Sequence, residues 1–163
     1  MTFIWERLAI GTVEDLKNPG KFIGFILNVA EEIDVGRYGK LTGNRYNGLK
    51  YHKIPLVDGD PIPAKKMLEA IELIQRHIVA GKVLVACHYG LGRSTSIVIG
   101  YLCAAGMGYG EALNLVSSKR PGTDPMPDLK ETIRKTLALY RRYRDAHSND
   151  VGLEYGFRSG STR

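Results

Sequence analysis

Ten consecutive residues, Val85-Ala86-Cys87-His88-Tyr89-Gly90-Leu91-Gly92-Arg93-Ser94, join a nucleophile, a glycine-containing turn and a permanent positive charge. A cysteine leaving an apolar strand, followed by a tight loop and an arginine that opens a helix, is an arrangement that binds phosphate. Backbone N–H groups of such a turn converge into an anion nest, and the helix start adds unpaired N–H groups and the positive end of its dipole. Glycines let the backbone come close to the anion. Arg93 supplies a planar fork matched to two phosphate oxygens. The same field favours the thiolate of Cys87, the form that attacks phosphorus.

Phosphoryl transfer to sulfur also requires that the departing oxygen be protonated, so a carboxylic acid is expected on a neighbouring loop. Asp58 and Asp60, in the turn Asp58-Gly59-Asp60-Pro61, are the candidates. The alternative for both is an Asx-type turn ahead of Pro61 with no part in the chemistry.

These residues need a scaffold, and the hydrophobic patterning describes one. Leu8 to Ile10 reads as a short strand, followed by Thr12 as a helix N-cap with Asp15 in the first turn. Phe22 to Val29 has the composition of a buried strand, and Tyr51 to Val57 of a weaker one. Met67, Ile71, Ile74 and Ile78 recur at helical spacing, which predicts an amphipathic helix over Ala64 to Ala80 stopped by Gly81. Lys82 to Ala86 is a buried strand ending at the nucleophile. The apolar run that follows Arg93, through Ala105, predicts a buried helix with hydroxyl residues at its start, and two more helices are expected over Gly110 to Ser118 and Asp128 to Arg144. Strands alternating with helices imply an α/β fold with a largely parallel central sheet flanked by helices. Between the second and third strands, residues 34–50 interleave Gly36, Gly39, Gly43 and Gly48 with Arg37, Tyr38, Lys40, Arg45 and Tyr46. This is either a solvated connection or a substrate-recognition loop.

The stretch from Cys87 to Ser94 resembles the Cys-x5-Arg-Ser/Thr signature of the protein tyrosine phosphatases, and in particular the compact dual-specificity phosphatase family: Cys87, Gly90, Arg93 and Ser94 all match. Leu27-Asn28-Val29-Ala30, Tyr51 to Asp58 and Lys119-Arg120-Pro121 look like further landmarks in the expected order, so the resemblance covers about residues 5 to 143. It implies a compact tyrosine-phosphatase-like fold. It also implies that Cys87 forms a phosphocysteine, Arg93 holds the phosphoryl oxygens and Ser94 hydrogen-bonds the sulfur to ease its departure. Asp58 would be general acid and then general base, with Asp60 in reserve. His88, Tyr89, Gly90, Leu91 and Gly92 would give backbone N–H groups to the phosphate. The family usually has histidine before the nucleophile, and this chain has Ala86, which bears on loop rigidity.

The implied activity is hydrolysis of phosphotyrosine, with phosphoserine and phosphothreonine as further candidates, on a phosphorylated protein. The rivals are a phosphatase of a phosphoinositide, a sugar phosphate or the 5′ end of RNA, a sulfur-transfer enzyme, and a catalytically silent phosphoprotein-binding module. A net charge of +6 permits other acidic partners.

Composition narrows the setting. With 163 residues, 44% hydrophobic and 25% charged, the chain suits one folded domain, expected over 1–144, with a polar tail over 145–163. No apolar run reaches the ~20 residues of a membrane span and no secretory signal is visible, so a cytoplasmic location is expected. Cys87 and Cys103 are too few for a disulfide scaffold, and Cys103 reads as a core residue. His52, His77 and His147 lack metal-ligand spacing, and the reaction needs no metal or other cofactor. Arg134, Lys135, Arg141, Arg142 and Arg144 make the last helix basic, which most simply marks a solvated face.

Overall fold

The computed structural model describes residues 1–35 and 48–147. Five strands, β1 (Thr2–Trp5), β2 (Leu8–Gly11), β3 (Ile23–Ala30), β4 (Lys50–Leu56) and β5 (Lys82–Ala86), form one sheet in the order β1-β2-β5-β3-β4. Only β1 runs antiparallel to its neighbour; β2, β5, β3 and β4 are mutually parallel. Among the described residues five helices accompany them: α1 (Val13–Lys17), α2 (Ala64–Ile78), α3 (Arg93–Ala104), α4 (Tyr109–Lys119) and α5 (Leu129–His147).

The expected α/β architecture is therefore present, with differences at particular ends. Phe22 lies outside β3 with 81% of its surface exposed, and its ring sits 5.8 Å from the Lys82 ammonium instead of in the core. Strand β4 stops at Leu56, leaving Val57 in the turn. Helix α2 ends at Ile78, where the His77 carbonyl accepts from Ala80 and Gly81. Strand β1 was not expected, because only Ile4 of its four residues is buried and the Glu6-Arg7 turn lacks the Asn-Gly type of hairpin signal. Most of the 34–50 segment and nearly all of the polar tail lie outside the described residues; Asp145 to His147 continue α5.

Register makes this scaffold useful. Gly11 of β2 and Asn28 of β3 both stand beside Ala86 of β5, and Ala30 pairs with Leu56 of β4. The carboxyl ends of four parallel strands thus finish at one level, the edge of an open α/β sheet where ligands bind. Strand β5 is central and buried from Val83 to Ala86. Ile10, Leu27 and Leu84 are completely buried around it, each contributing about 2 kcal/mol. Helix α3 is buried from Arg93 to Cys103, so both elements that flank the chemical loop are locked into the core.

Candidate active site

The Cys87 sulfur, 2% exposed as a residue, sits at the floor of the loop between β5 and α3. Its Sγ lies 3.2 Å from Ser94 Oγ and accepts a 3.2 Å hydrogen bond from the Gly90 N–H. Gly90 adopts φ +68°, a conformation open to glycine, and a Cβ there would stand 2.6 Å from the Gly11 carbonyl oxygen. Ser94, completely buried, lies in the first turn of α3.

Arg93 is 2% exposed and meets Glu32 end on, with Nη1 donating to Oε2 at 2.6 Å and Nη2 to Oε1 at 2.7 Å. Nη1 gives its second hydrogen to the Leu56 carbonyl at 3.2 Å. A guanidinium has five N–H donors, so two remain: the second on Nη2 and the one on Nε, which share the flank of the plane. Nε is buried and without a hydrogen-bond partner. A buried donor left unmade is costly, and this flank has the spacing for two oxygens of a phosphate.

Glu32 is the functional candidate that sequence reading missed. It lies 61 positions from Arg93, and no motif joins them. Its placement follows from Asn28, wholly buried in β3, whose amide donates to the Ile33 carbonyl and the Tyr51 hydroxyl, both at 3.0 Å, and whose Oδ1 accepts from Ala30 N at 3.0 Å. This network pins the turn carrying Glu32. The only sequence signal was a carboxylate just past a buried strand parallel to the one bearing the nucleophile. Hydrogen bonding from Arg93 holds the Glu32 carboxyl down at about 2 against the opposing effect of burial, with His88 Nδ1 3.7 Å away. On Arg93, burial works against the charge and is outweighed by Glu32, Cys87 and Asp58, so its pKa is raised.

Asp58 reaches the same place. Its Oδ1 lies 3.4 Å from Arg93 Nε, close enough for charge attraction, though no hydrogen bond forms. The side chain is 68% exposed, at the mouth of the site. Asp60, two residues on, lines a small surface pocket with Pro61, Ile62 and Lys66. Among the expected residues, the structure brings together Cys87, Arg93, Ser94 and Asp58 with the loop His88 to Gly92. Cys103 stands apart, buried in α3, its thiol pKa pushed up by burial. Both cysteines are free thiols. Among the described residues, no group of three or more His, Cys, Asp or Glu side chains is placed to hold a metal ion.

The comparisons agree with this geometry. The family model described as dual specificity phosphatase, catalytic domain, matches residues 12–137, so the chain belongs to that family. Dual specificity protein phosphatase 15 of Mus musculus is 27% identical over 129 residues, covering 72% of this chain and 54% of the relative. The chain thus spans about half the length of that relative. Among solved structures, the crystal structure of DUSP15 superposes with a TM-score of 0.72 at 24% identity, covering 93% of this chain and 97% of that one. The human tyrosine phosphatase-like serine/threonine/tyrosine-interacting protein gives 0.72 at 21% identity, covering 86% and 97%. These two likenesses establish the fold.

Proposed function

We propose that this chain is a cysteine-dependent protein phosphatase that hydrolyses phosphotyrosine, and phosphoserine or phosphothreonine where they reach the loop, through a phosphocysteine intermediate. The observation that carries the reading is the buried Arg93 guanidinium, its Nε without a hydrogen-bond partner, at the helix start that follows the loop holding Cys87 Sγ. Catalysis is assigned to the domain over 1–144, with 145–163 as a polar tail. Two unpaired thiols fit a reducing compartment, and the substrate is taken to be a cytoplasmic phosphoprotein. No helix among the described residues is long and apolar enough to cross a membrane.

In the first step Cys87 Sγ forms a bond to phosphorus while the bond to the substrate oxygen breaks, and Asp58 gives that oxygen its proton. Charge on the transferring group spreads onto oxygens faced by Arg93 and by the loop N–H groups. In the second step water attacks phosphorus, Asp58 takes its proton, and the P–S bond breaks. Ser94 Oγ, 3.2 Å from the sulfur, stabilises the departing thiolate by a hydrogen bond.

The test is release of p-nitrophenol from p-nitrophenyl phosphate across about pH 4 to 8 without metal, native chain against Cys87→Ser. A rate that disappears in the variant, followed by turnover of phosphotyrosine peptides, supports the proposal. A folded, reduced native chain no faster than Cys87→Ser overturns it. Turnover of phosphoinositides, sugar phosphates or RNA 5′ ends with none of phosphopeptides would keep the mechanism and replace the substrate class.

A further inference from the structure

Five successive carbonyls of the phosphate loop, His88 to Gly92, each accept a hydrogen bond from outside the cradle. Val13 N reaches the His88 oxygen at 3.0 Å, Asp124 N the Leu91 oxygen at 2.9 Å and Ser96 N the Gly92 oxygen at 3.0 Å. The single hydroxyl hydrogen of Thr95 is shared between the Leu91 and Gly92 oxygens, 2.6 and 2.8 Å from Oγ1. The remaining two carbonyls belong to a single side chain: Arg120 Nη2 donates to the Tyr89 oxygen at 3.1 Å and Arg120 Nε to the Gly90 oxygen at 2.5 Å. No other donor reaches these two oxygens in the described residues.

Peptide geometry turns this into a functional statement. In a trans peptide the C=O of one residue and the N–H of the next point in opposite directions. Holding the Tyr89 oxygen outward therefore aims the Gly90 N–H inward, where it meets Cys87 Sγ at 3.2 Å. Holding the Gly90 oxygen does the same for the Leu91 N–H. A guanidinium on a carbonyl also polarises the peptide, making its N–H a stronger donor. Ala86, apolar and wholly buried, brings no side-chain hydrogen bond to the loop.

Arg120 is itself fixed. Its N–H caps α4 on the Val116 oxygen at 2.8 Å, its carbonyl accepts from Thr123 Oγ1 at 2.7 Å, and Nη1 donates to Thr2 Oγ1 of β1 at 2.8 Å. A Cβ at Gly90 would stand 2.5 Å from Nη2, so the loop and this side chain are fitted to each other.

We propose that Arg120 is the positioning residue of the phosphate loop, setting the two central peptides so that their N–H groups face the thiolate and the phosphoryl oxygens; the role rests on the phosphatase reading above. The experiment measures inhibition of p-nitrophenyl phosphate hydrolysis by inorganic tungstate for the native enzyme, Arg120→Met, Arg120→Lys and Lys119→Met. Circular dichroism checks folding. Lys119 is the control, because it carries the adjacent charge at the end of α4 and donates to the Ile4 carbonyl, away from the loop. The expected result is tungstate affinity reduced at least tenfold in Arg120→Met, by a smaller factor in Arg120→Lys, and by less than twofold in Lys119→Met. An affinity within twofold of native in Arg120→Met, or equal losses in Arg120→Met and Lys119→Met, overturns the role. If Arg120→Met does not fold, Arg120→Lys decides on the same twofold criterion. A native chain that neither hydrolyses the ester nor binds tungstate overturns the phosphatase reading itself, whereas native turnover with an indifferent Arg120→Met removes only the role of Arg120.

Discussion

Arg93 turns its two terminal nitrogens to Glu32, at 2.6 and 2.7 Å, and leaves its buried Nε without a hydrogen-bond partner, 3.4 Å from Asp58 Oδ1. Glu32 thus holds the end of the fork and leaves Nε free of it, the edge that the proposed function assigns to phosphate. In Glu32→Gln the amide NH2 would oppose an arginine N–H, and kcat/KM should fall about tenfold, roughly 1.4 kcal/mol of transition-state stabilisation. Steady-state kinetics with p-nitrophenyl phosphate would show it, and an unchanged value would deny Glu32 this part.

The same pair makes a pH prediction. The Glu32 carboxyl titrates at about 2 in the folded chain against an ordinary 4.5, so folding favours its ionised form. That contribution is complete above about pH 4.5 and is lost as pH falls toward 2. Because Glu32 is about half exposed, solvent screening leaves about 1 kcal/mol. Acid unfolding followed by circular dichroism should show Glu32→Gln losing less stability than the native chain between pH 4.5 and 2.

The two aspartates of the turn should separate cleanly. Asp58→Ala is expected to lower kcat about 100-fold, the loss of a positioned general acid. The deficit should grow for alkyl phosphates, whose leaving oxygens need protonation most. Asp60→Ala should remain within about twofold of native. The opposite ranking would transfer the acid role to Asp60.

The proposed mechanism gives Ser94 its part in the second step, so Ser94→Ala should slow breakdown of the phosphocysteine more than its formation. A rapid-mix experiment should then show a burst of p-nitrophenol close to one equivalent, followed by a steady rate lowered about tenfold or more. A uniform slowing without a burst would count against that assignment.

Gly90→Ala combines a positive φ with a contact that backbone cannot relieve, the Gly11 carbonyl. The expected loss of stability is about 2 kcal/mol, measured by urea unfolding.

Much of this was legible in the sequence, for identifiable reasons. Cys87, Arg93 and Ser94 lie within one turn and one helix start, so their spacing along the chain nearly fixes their spacing in space. The α/β order followed from periodicity, and β5 from its unbroken apolar run. Glu32 escaped because it meets Arg93 only through the register of β3 against β5. Arg120 was visible as part of Lys119-Arg120-Pro121, but its hold on two carbonyls depends on where α4 ends relative to the loop. Strand β1 escaped because an edge strand with one buried residue has no pattern to read. Interactions between distant segments are set by tertiary geometry, which periodicity does not encode.

The sheet order places β5 at the centre and β4 at an edge. Cys87 and Asp58, the nucleophile and proton donor of the proposed mechanism, therefore belong to parts of the molecule with different freedom to change. Substitutions near Cys87 disturb neighbours on every side, while the turn after β4 hangs from a border with open solvent beside it. Over descent, that border is where new preferences for leaving groups are cheapest to acquire. For protein engineering it marks the exposed positions Val57 and Gly59 to Pro61 as the places to vary, with Asp58 and the buried Ile62 kept.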